Sequence, residues 1–260
     1  MTYDRRQLGT WERWRSYLIL NPLIYFYTAV LGTLSLLASL FDGTGRIQHF
    51  FAHLWSWLIL KTANCPLKVE GMERIDKSHP YIYASNHQSA MDIPALYVGL
   101  NFPFRIMAKK ELFRIPFMGW HLRRSGQIPI ERENARSSLK SLIRASETVR
   151  SGMPLLVFPE GGRTPDRTIK PFLGGAFYVA IKAGVPIVPM ALVGTYEALP
   201  MNSYVLRPHP LRLIVGEPVS TDGLNPRDMD ALAARVQKAI EDMYYPNAEV
   251  ADPRLREAVN

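Results

Sequence analysis

Hydrophobic and polar positions alternate in two different ways along this chain, and the change falls near Pro66. Before it, Ser16 to Phe41 runs for 26 positions without a charged side chain. As a helix at about 1.5 Å per residue this stretch reaches roughly 39 Å, more than the ~30 Å hydrocarbon core of a bilayer. Asn21 and Pro22 interrupt it early and predict a helix start or kink there. A second uncharged run covers Ile47 to Leu60, 14 residues, with Trp55 and Trp57 near its end. It is too short for an ordinary span. Asp42 to Arg46 supplies a turn containing two glycines. Two readings stay open: a spanning helix followed by an interfacial one, or a helical hairpin dipping into one leaflet. The alternative is a pair of core helices in a soluble fold. No convincing small-residue cleavage site follows the apolar stretch, which argues against a secretory signal. His49 and His53 stand four apart, as helical metal ligands do. With no carboxylate near them, they read instead as amphipathic side chains at a membrane interface.

After Pro66 the runs shorten. Apolar segments at Tyr81–Ala84, Arg105–Ala108, Gln127–Ile130, Leu155–Phe158, Ile187–Leu192 and Leu211–Val215 have strand length. Between several of them lie helical stripes. Ala135, Leu139, Leu142, Ile143 and Val149 share one face of a helix that ends near Gly152. Ala176 to Ala183 forms another, closed by Gly184. Asn225-Pro226 opens a third, whose buried stripe is Met229, Leu232, Ala233, Val236, Ile240 and Met243. Strands alternating with helices predict one α/β domain with a largely parallel sheet flanked by helices. The organisation is therefore membrane-associated helices over 1–62, an α/β domain over 63–245, and a loose tail over 246–260. No internal repeat is visible.

Composition narrows the chemistry. The chain has 260 residues and a single cysteine, Cys65. That excludes an internal disulfide and a cysteine-built zinc cluster, and it suits a reducing compartment. The net charge is +8, and it is uneven. Residues 101–150 hold eleven Lys or Arg against four acids, while residues 221–260 hold five basic and eight acidic residues. A basic segment of this kind suits phosphate, nucleic acid or an anionic membrane face, or it is a solvated helix face. It lacks the interleaved aromatics that stack bases, so nucleic acid is not expected as a partner. Phosphate-loop, dinucleotide-fold, serine-elbow and zinc-protease signatures are absent. A covalent serine or cysteine enzyme has little support.

Three segments carry candidate chemistry, each just past a predicted strand. The first is N-H-Q-S-A-M-D, with His87 and Asp92 five apart. On one regular helix they would lie about 140° apart around the axis. They meet only if His87 sits in the turn before a helix and Asp92 on its first turn. A carboxylate on one ring nitrogen leaves the other basic. A capping Asp beside a satisfied His is the structural alternative. The second segment is F-P-E-G-G-R-T, with Glu160, Gly161, Gly162 and Arg163. Its glycines let backbone approach a ligand, and its arginine offers a fork for phosphate. The third is G-Q-I-P-I-E-R, ending at Arg132. Strand ends of an open α/β sheet are where such ligands bind.

Together with V-P-I-V-P-M over Val185–Met190, these blocks resemble, in order and spacing, the four motifs of the glycerolipid acyltransferases. The likeness runs from about Pro80 to Val193, and the preceding hairpin is similar to that family's membrane anchor. The resemblance implies transfer of a fatty acyl group from acyl-CoA or acyl carrier protein to the free hydroxyl of a lysophosphatidate. His87 would be the general base and Asp92 its partner. Arg132 and Arg163 would clamp phosphate, Glu160 and the two glycines would shape the glycerol site, and Lys109 or backbone amides would meet the oxyanion. No metal or redox cofactor is implied. The catalytic domain would face the cytoplasm from an anionic membrane surface. The pattern departs in three places. Gly162 replaces a usual Thr, Pro129 a frequent aromatic, and Leu173-Gly174 a frequent basic residue that Lys170 partly replaces. Rival readings are the same chemistry on glycerol-3-phosphate, another lysophospholipid or a lyso-amino-acid lipid, and a non-enzymatic lipid-binding protein.

Overall fold

The computed structural model describes residues 9–76, 78–131 and 134–254. Its N-terminal part is one long helix in three pieces: α1 (Thr10–Arg15), a π-helical segment (Ser16–Leu20) and α2 (Asn21–Ala38). Pro22 has no N–H to give to the preceding turn. The chain absorbs that loss by widening just before it, as π segments do, so the expected interruption is a local bulge rather than a break. The whole of Thr10–Ala38 is long and apolar enough to cross a membrane, and most of it is exposed.

A turn over residues 39–45 leads into α3 (Arg46–Thr62). Asp42 organises that turn: Oδ1 accepts from the Thr44 N–H at 2.7 Å and Oδ2 from the Ile47 N–H at 2.8 Å. Gly45 has φ +77, and a Cβ there would meet the guanidinium of Arg105. Buried Arg105 donates to the Thr44 carbonyl and so fastens the turn to the α/β domain. Helix α3 packs on α2 and on α4 (Asp92–Gly99). His49 packs tilted against Tyr97 and edge-on against Phe104, centroids 5.2 and 5.0 Å away, and His53 Nδ1 lies 2.8 Å from the Tyr97 carbonyl. These two histidines thus face the protein and not a membrane interface. Their spacing registers a helical face, but only α4 decides what covers it.

The α/β part alternates strand and helix. Strand β1 is Leu67–Glu70, β2 Ile82–Ser85, β3 Arg105–Lys109 and β4 Ile128–Ile130. Strand β5 is Leu155–Val157, β6 Ile187–Val193 and β7 Leu211–Val215. Among the described residues they form one sheet in the order β1-β7-β6-β2-β5-β3-β4. The five strands from β6 to β4 are parallel, and the β7–β1 pair runs the other way. Strand β1 was not expected. Its four residues, L-K-V-E, alternate apolar with charged and lie half-exposed at the sheet edge, so no apolar run marks them.

Helix α5 is Met118–Arg124, α6 Ala135–Arg150, α7 Gly175–Ala183, α8 Thr195–Ala198 and α9 Met229–Tyr244. The two-residue period of each central strand divides its side chains between two cores. Ile82, Ala84, Leu155 and Val157 join the core under α6, α7 and α9. Tyr83 and Leu156 join the other, under α3 and α4. The expected loose tail is fastened as far as Arg254, whose guanidinium pairs with Asp242 at 2.7 Å and Asp252 at 2.6 Å and covers the Tyr245 ring.

Candidate active site

The carboxyl ends of β2, β5, β3 and β4 fall in a row along one edge of the sheet, about 4.8 Å apart. Each candidate segment follows one of these strands. Asn86 through Met91 form the turn after β2, and Asp92 is the first residue of α4. That turn supplies the geometry the spacing requires. His87 Nδ1 lies 2.7 Å from Asp92 Oδ2. The same oxygen accepts from the backbone N–H of Gln88 at 2.7 Å and of Ser89 at 2.9 Å. An ionised carboxylate only accepts, so Nδ1 carries the ring proton and Nε2 keeps its lone pair. Asp92 is fully buried while the His87 side chain is 19% exposed, so the carboxylate is sealed and the imidazole is open.

One further contact holds the ring and five hydrogen bonds hold the turn that carries it. The ring stacks on Phe158 at the end of β5, with centroids 4.0 Å apart. The side chain of Asn86 bonds both the N–H and the carbonyl of Leu192 on β6, at 2.7 and 2.9 Å. Gln88 Nε2 donates to the Arg167 carbonyl at 2.8 Å, and the Tyr244 hydroxyl donates to Gln88 Oε1 at 2.9 Å. Thr164 N–H donates to the His87 carbonyl at 3.2 Å. Asn86 stood beside His87 in the motif, yet its role needs β6 as a neighbour. Tyr244 lies 156 residues from Gln88, and no local pattern connects them.

Glu160, after β5, is buried and acts as a clip. Its Oε1 accepts from the His87 N–H at 2.7 Å and its Oε2 from the Lys170 N–H at 3.0 Å. Burial raises its carboxyl to about 7, and nearby Asp92 adds to the rise, while the two backbone bonds and Lys170 oppose it. Gly161 turns the chain with φ +76. At Gly162 a Cβ would meet nothing within 4 Å, so the missing Thr leaves open space rather than a changed backbone. Arg163 is half-buried, and its guanidinium has no partner among the described residues. Its carbonyl accepts from Lys170 Nζ at 2.8 Å, which stiffens this loop.

Lys109 ends β3 and is exposed, with no side-chain partner among the described residues. Arg132 follows β4 but lies outside the described residues. Next to the dyad an apolar cleft of about 160 Å³ opens between the sheet and helices α6 and α7. Met107, Ile130, Leu142, Phe158, Leu173 and Ala176 line it. Among the described residues no group of His, Cys, Asp and Glu has the form of a metal site. The edge therefore combines a carboxylate-held imidazole, free cations and an apolar cleft. That is equipment for activating a hydroxyl on an amphiphile that carries negative charge.

Comparison with known proteins agrees with this class. The chain belongs to the acyltransferase family, whose sequence model matches residues 66–193. It is 36% identical over 187 residues to a chloroplastic 1-acyl-sn-glycerol-3-phosphate acyltransferase of Brassica napus, covering 69% of this chain and 53% of that one. It is 33% identical over 237 residues to a 1-acyl-sn-glycerol-3-phosphate acyltransferase of Chlamydomonas reinhardtii, covering 89% and 68%. The chain thus spans about half the length of the chloroplastic relatives it matches. The crystal structure of the 1-acyl-sn-glycerophosphate (LPA) acyltransferase PlsC from Thermotoga maritima superposes with a TM-score of 0.75 at 27% identity. That match covers 89% of this chain and 95% of that one.

Proposed function

We propose that this protein transfers a fatty acyl group from acyl-CoA or acyl carrier protein to the sn-2 hydroxyl of lysophosphatidate, giving phosphatidate. The observation that carries the reading is the 2.7 Å bond between His87 Nδ1 and Asp92 Oδ2, with Nε2 open at the sheet edge. Nε2 takes the proton of the acceptor hydroxyl as its oxygen attacks the thioester carbonyl. The tetrahedral intermediate collapses, the carbon–sulfur bond breaks, and the leaving thiolate takes the proton back from the imidazolium. The new ester is the product. Asp92 orients the ring and stabilises its cation, and a positioned base of this kind contributes about 10² to 10⁴ in rate. Neither an enzyme nucleophile nor a cofactor enters this scheme.

Arg163 and Arg132 hold the acceptor phosphate, and Lys109 at the end of β3 meets the oxyanion that develops on the thioester carbonyl oxygen. Glu160, Gly161 and Gly162 act through the backbone, because both Glu160 oxygens are already bonded to it. The apolar cleft beside Phe158 suits the acyl chain. The relatives' names support the acceptor, and a thioester donor fits a site with no enzyme nucleophile because a thiolate is a good leaving group.

The membrane half of the proposal is in-plane attachment to the cytoplasmic leaflet, where such thioesters occur. Support comes from how the long helix is tied. Ser16 Oγ bonds both the N–H and the carbonyl of Leu206, at 3.0 and 3.3 Å, and Asn21 Nδ2 donates to the Tyr204 carbonyl at 2.9 Å. Ser35 Oγ lies 3.1 Å from His121 Nδ1 on α5. The 19-residue step from Ser16 to Ser35 spans roughly 28 Å of helix. A helix held to the domain at both ends lies along it and presents its exposed apolar side to one leaflet.

The test is phosphatidate formation from lysophosphatidate and palmitoyl-CoA or palmitoyl carrier protein, with wild type and His87→Ala. Activity in the first and a loss of about 10²-fold or more in the second is expected. Equal rates in both would remove His87 as the base. Silence of folded wild type with both donors would overturn the acceptor assignment.

A further inference from the structure

Beyond the catalytic edge, the segment from the 3₁₀ turn Lys110–Arg114 through α5 has no role in the chemistry above. It places four large apolar side chains in solvent: Ile115, Phe117, Met118 and Trp120, with Phe117 66% exposed. Phe117 is held there by strain. Its φ of +60 and ψ of −60, with the Met118 N–H donating to the Pro116 carbonyl at 2.7 Å, form the rare γ-turn of positive φ. A bulky residue keeps this backbone only where the surrounding structure over-determines it. The two aromatic rings pack together, centroids 5.0 Å apart.

Behind this wedge is a cavity of about 500 Å³ beside edge strand β4. Lys110 and Arg114 reach it from the 3₁₀ turn, Arg123 from α5 and Arg144 from α6. Lys110 is paired with Glu131. The guanidinium groups of Arg114, Arg123 and Arg144 have no partner among the described residues, so those residues give the cavity a positive lining. The wedge also continues an apolar surface already described. Helix α5 touches α2, Ser35 contacts His121, and Leu34, Leu37 and Phe41 lie exposed at that end of the long helix.

We propose that residues 115–120 form a second membrane-contact wedge, and that the cavity behind them binds the headgroup phosphate of an anionic phospholipid. Aromatic side chains sit at the headgroup level, and arginines beside them meet phosphate. An apolar wedge without cations would need no anionic lipid. A cationic cavity for a soluble ligand would not need four exposed apolar side chains on the same segment as Arg114 and Arg123. The inference rests on the membrane half of the reading above and not on the acyl transfer.

The full chain is tested in two arms, neither containing acyl donor or acceptor. In the first, Met118→Cys is labelled with a bimane probe and placed in phosphatidylcholine vesicles. Cys65 is buried, so the label goes to position 118. Brominated acyl chains are expected to quench it, and an unquenched probe overturns the wedge. In the second, phosphatidylglycerol is titrated into neutral-detergent micelles, and bound lipid is read by native mass spectrometry. A basic side chain near anionic lipid is worth about fivefold at low salt. The triple variant Arg114→Ala, Arg123→Ala, Arg144→Ala is therefore expected to bind about 100-fold more weakly. The matching triple Lys variant is expected to recover most of the loss, which guards against a folding defect. Equal binding by wild type and the Ala variant overturns the headgroup site. So does displacement of the lipid by an equal concentration of inorganic phosphate. His87→Ala is expected to bind the lipid like wild type, so a failure of the acyltransferase reading leaves this result standing.

Discussion

Replacing Asp92 with Asn tests the dyad where its geometry is most constrained. All three contacts of the carboxylate fall on Oδ2, from His87 Nδ1, Gln88 N and Ser89 N, at 2.7, 2.7 and 2.9 Å. Oδ1 is buried without a partner among the described residues. An amide oxygen in the Oδ2 position keeps the three bonds, and the NH₂ falls in the Oδ1 position with no acceptor. One buried unpaired donor costs about 1–3 kcal/mol of stability, partly offset because a buried charge is removed. The catalytic effect is larger. In the transition state His87 is cationic, and a carboxylate about 4 Å away between charge centres is worth about 4 kcal/mol at an effective dielectric of 20. Losing it lowers kcat by about 10³ while leaving KM within a few-fold. Initial rates at saturating lysophosphatidate and thioester, together with urea unfolding, separate the two effects. The double variant with His87→Ala is expected to be no slower than His87→Ala alone, because the carboxylate acts through the ring. A folded Asp92→Asn enzyme within tenfold of wild type would refute the reasoning, as would losses that multiply in the double variant.

Three further expectations follow from the same edge. The Glu160 carboxyl rises to about 7 on folding from its ordinary 4.5, so the folded state holds that proton more tightly. Its contribution is complete below pH 4.5 and is lost as pH rises through 7, about 3 kcal/mol in all. Denaturation midpoints at both ends of that window should show this slope in wild type and a flatter one in Glu160→Gln. Gly161→Ala should cost about 1–2 kcal/mol because its φ is +76, whereas Gly162→Thr enters open space and should stay within about 0.5 kcal/mol of wild type with activity kept. Thermal unfolding of the two variants distinguishes them, and equal losses would show the turn to be misread. Asn86→Leu strands the buried N–H and carbonyl of Leu192. It should destabilise by about 2–4 kcal/mol in urea and slow turnover by loosening His87, and an unchanged midpoint would contradict that pairing.

Much of this protein is written locally. Apolar runs of strand length between helical stripes determine the α/β class, because burial on both faces of a parallel sheet leaves no polar alternation. Six of the strands follow from that rule, and β1 does not, because an edge strand of four residues needs no such run. The spacing of His87 and Asp92, read with a strand before and a helix after, already confined them to a turn and a first helical residue. Local spacing also marked Glu160 and Arg163 as strand-end residues.

What the sequence left open depends on neighbours distant in the chain. Glu160 looked like a residue for substrate, but both its oxygens meet backbone from two other loops. His49 and His53 looked interfacial until α4 supplied their partners. Whether a 29-residue apolar helix spans a bilayer or lies along a domain is invisible in its composition. The bonds from Ser16 to Leu206 and the contact from Ser35 to His121, across separations of 190 and 86 residues, tie this helix to the domain and exist only in the folded chain. The same holds for the basic segment, whose cations read as a charge run until the sheet edge gathered Lys110, Arg114, Arg123 and Arg144 around one cavity. Periodicity reports which side of an element is buried. Only packing reports against what, and for a charged or polar group that second question decides its chemistry.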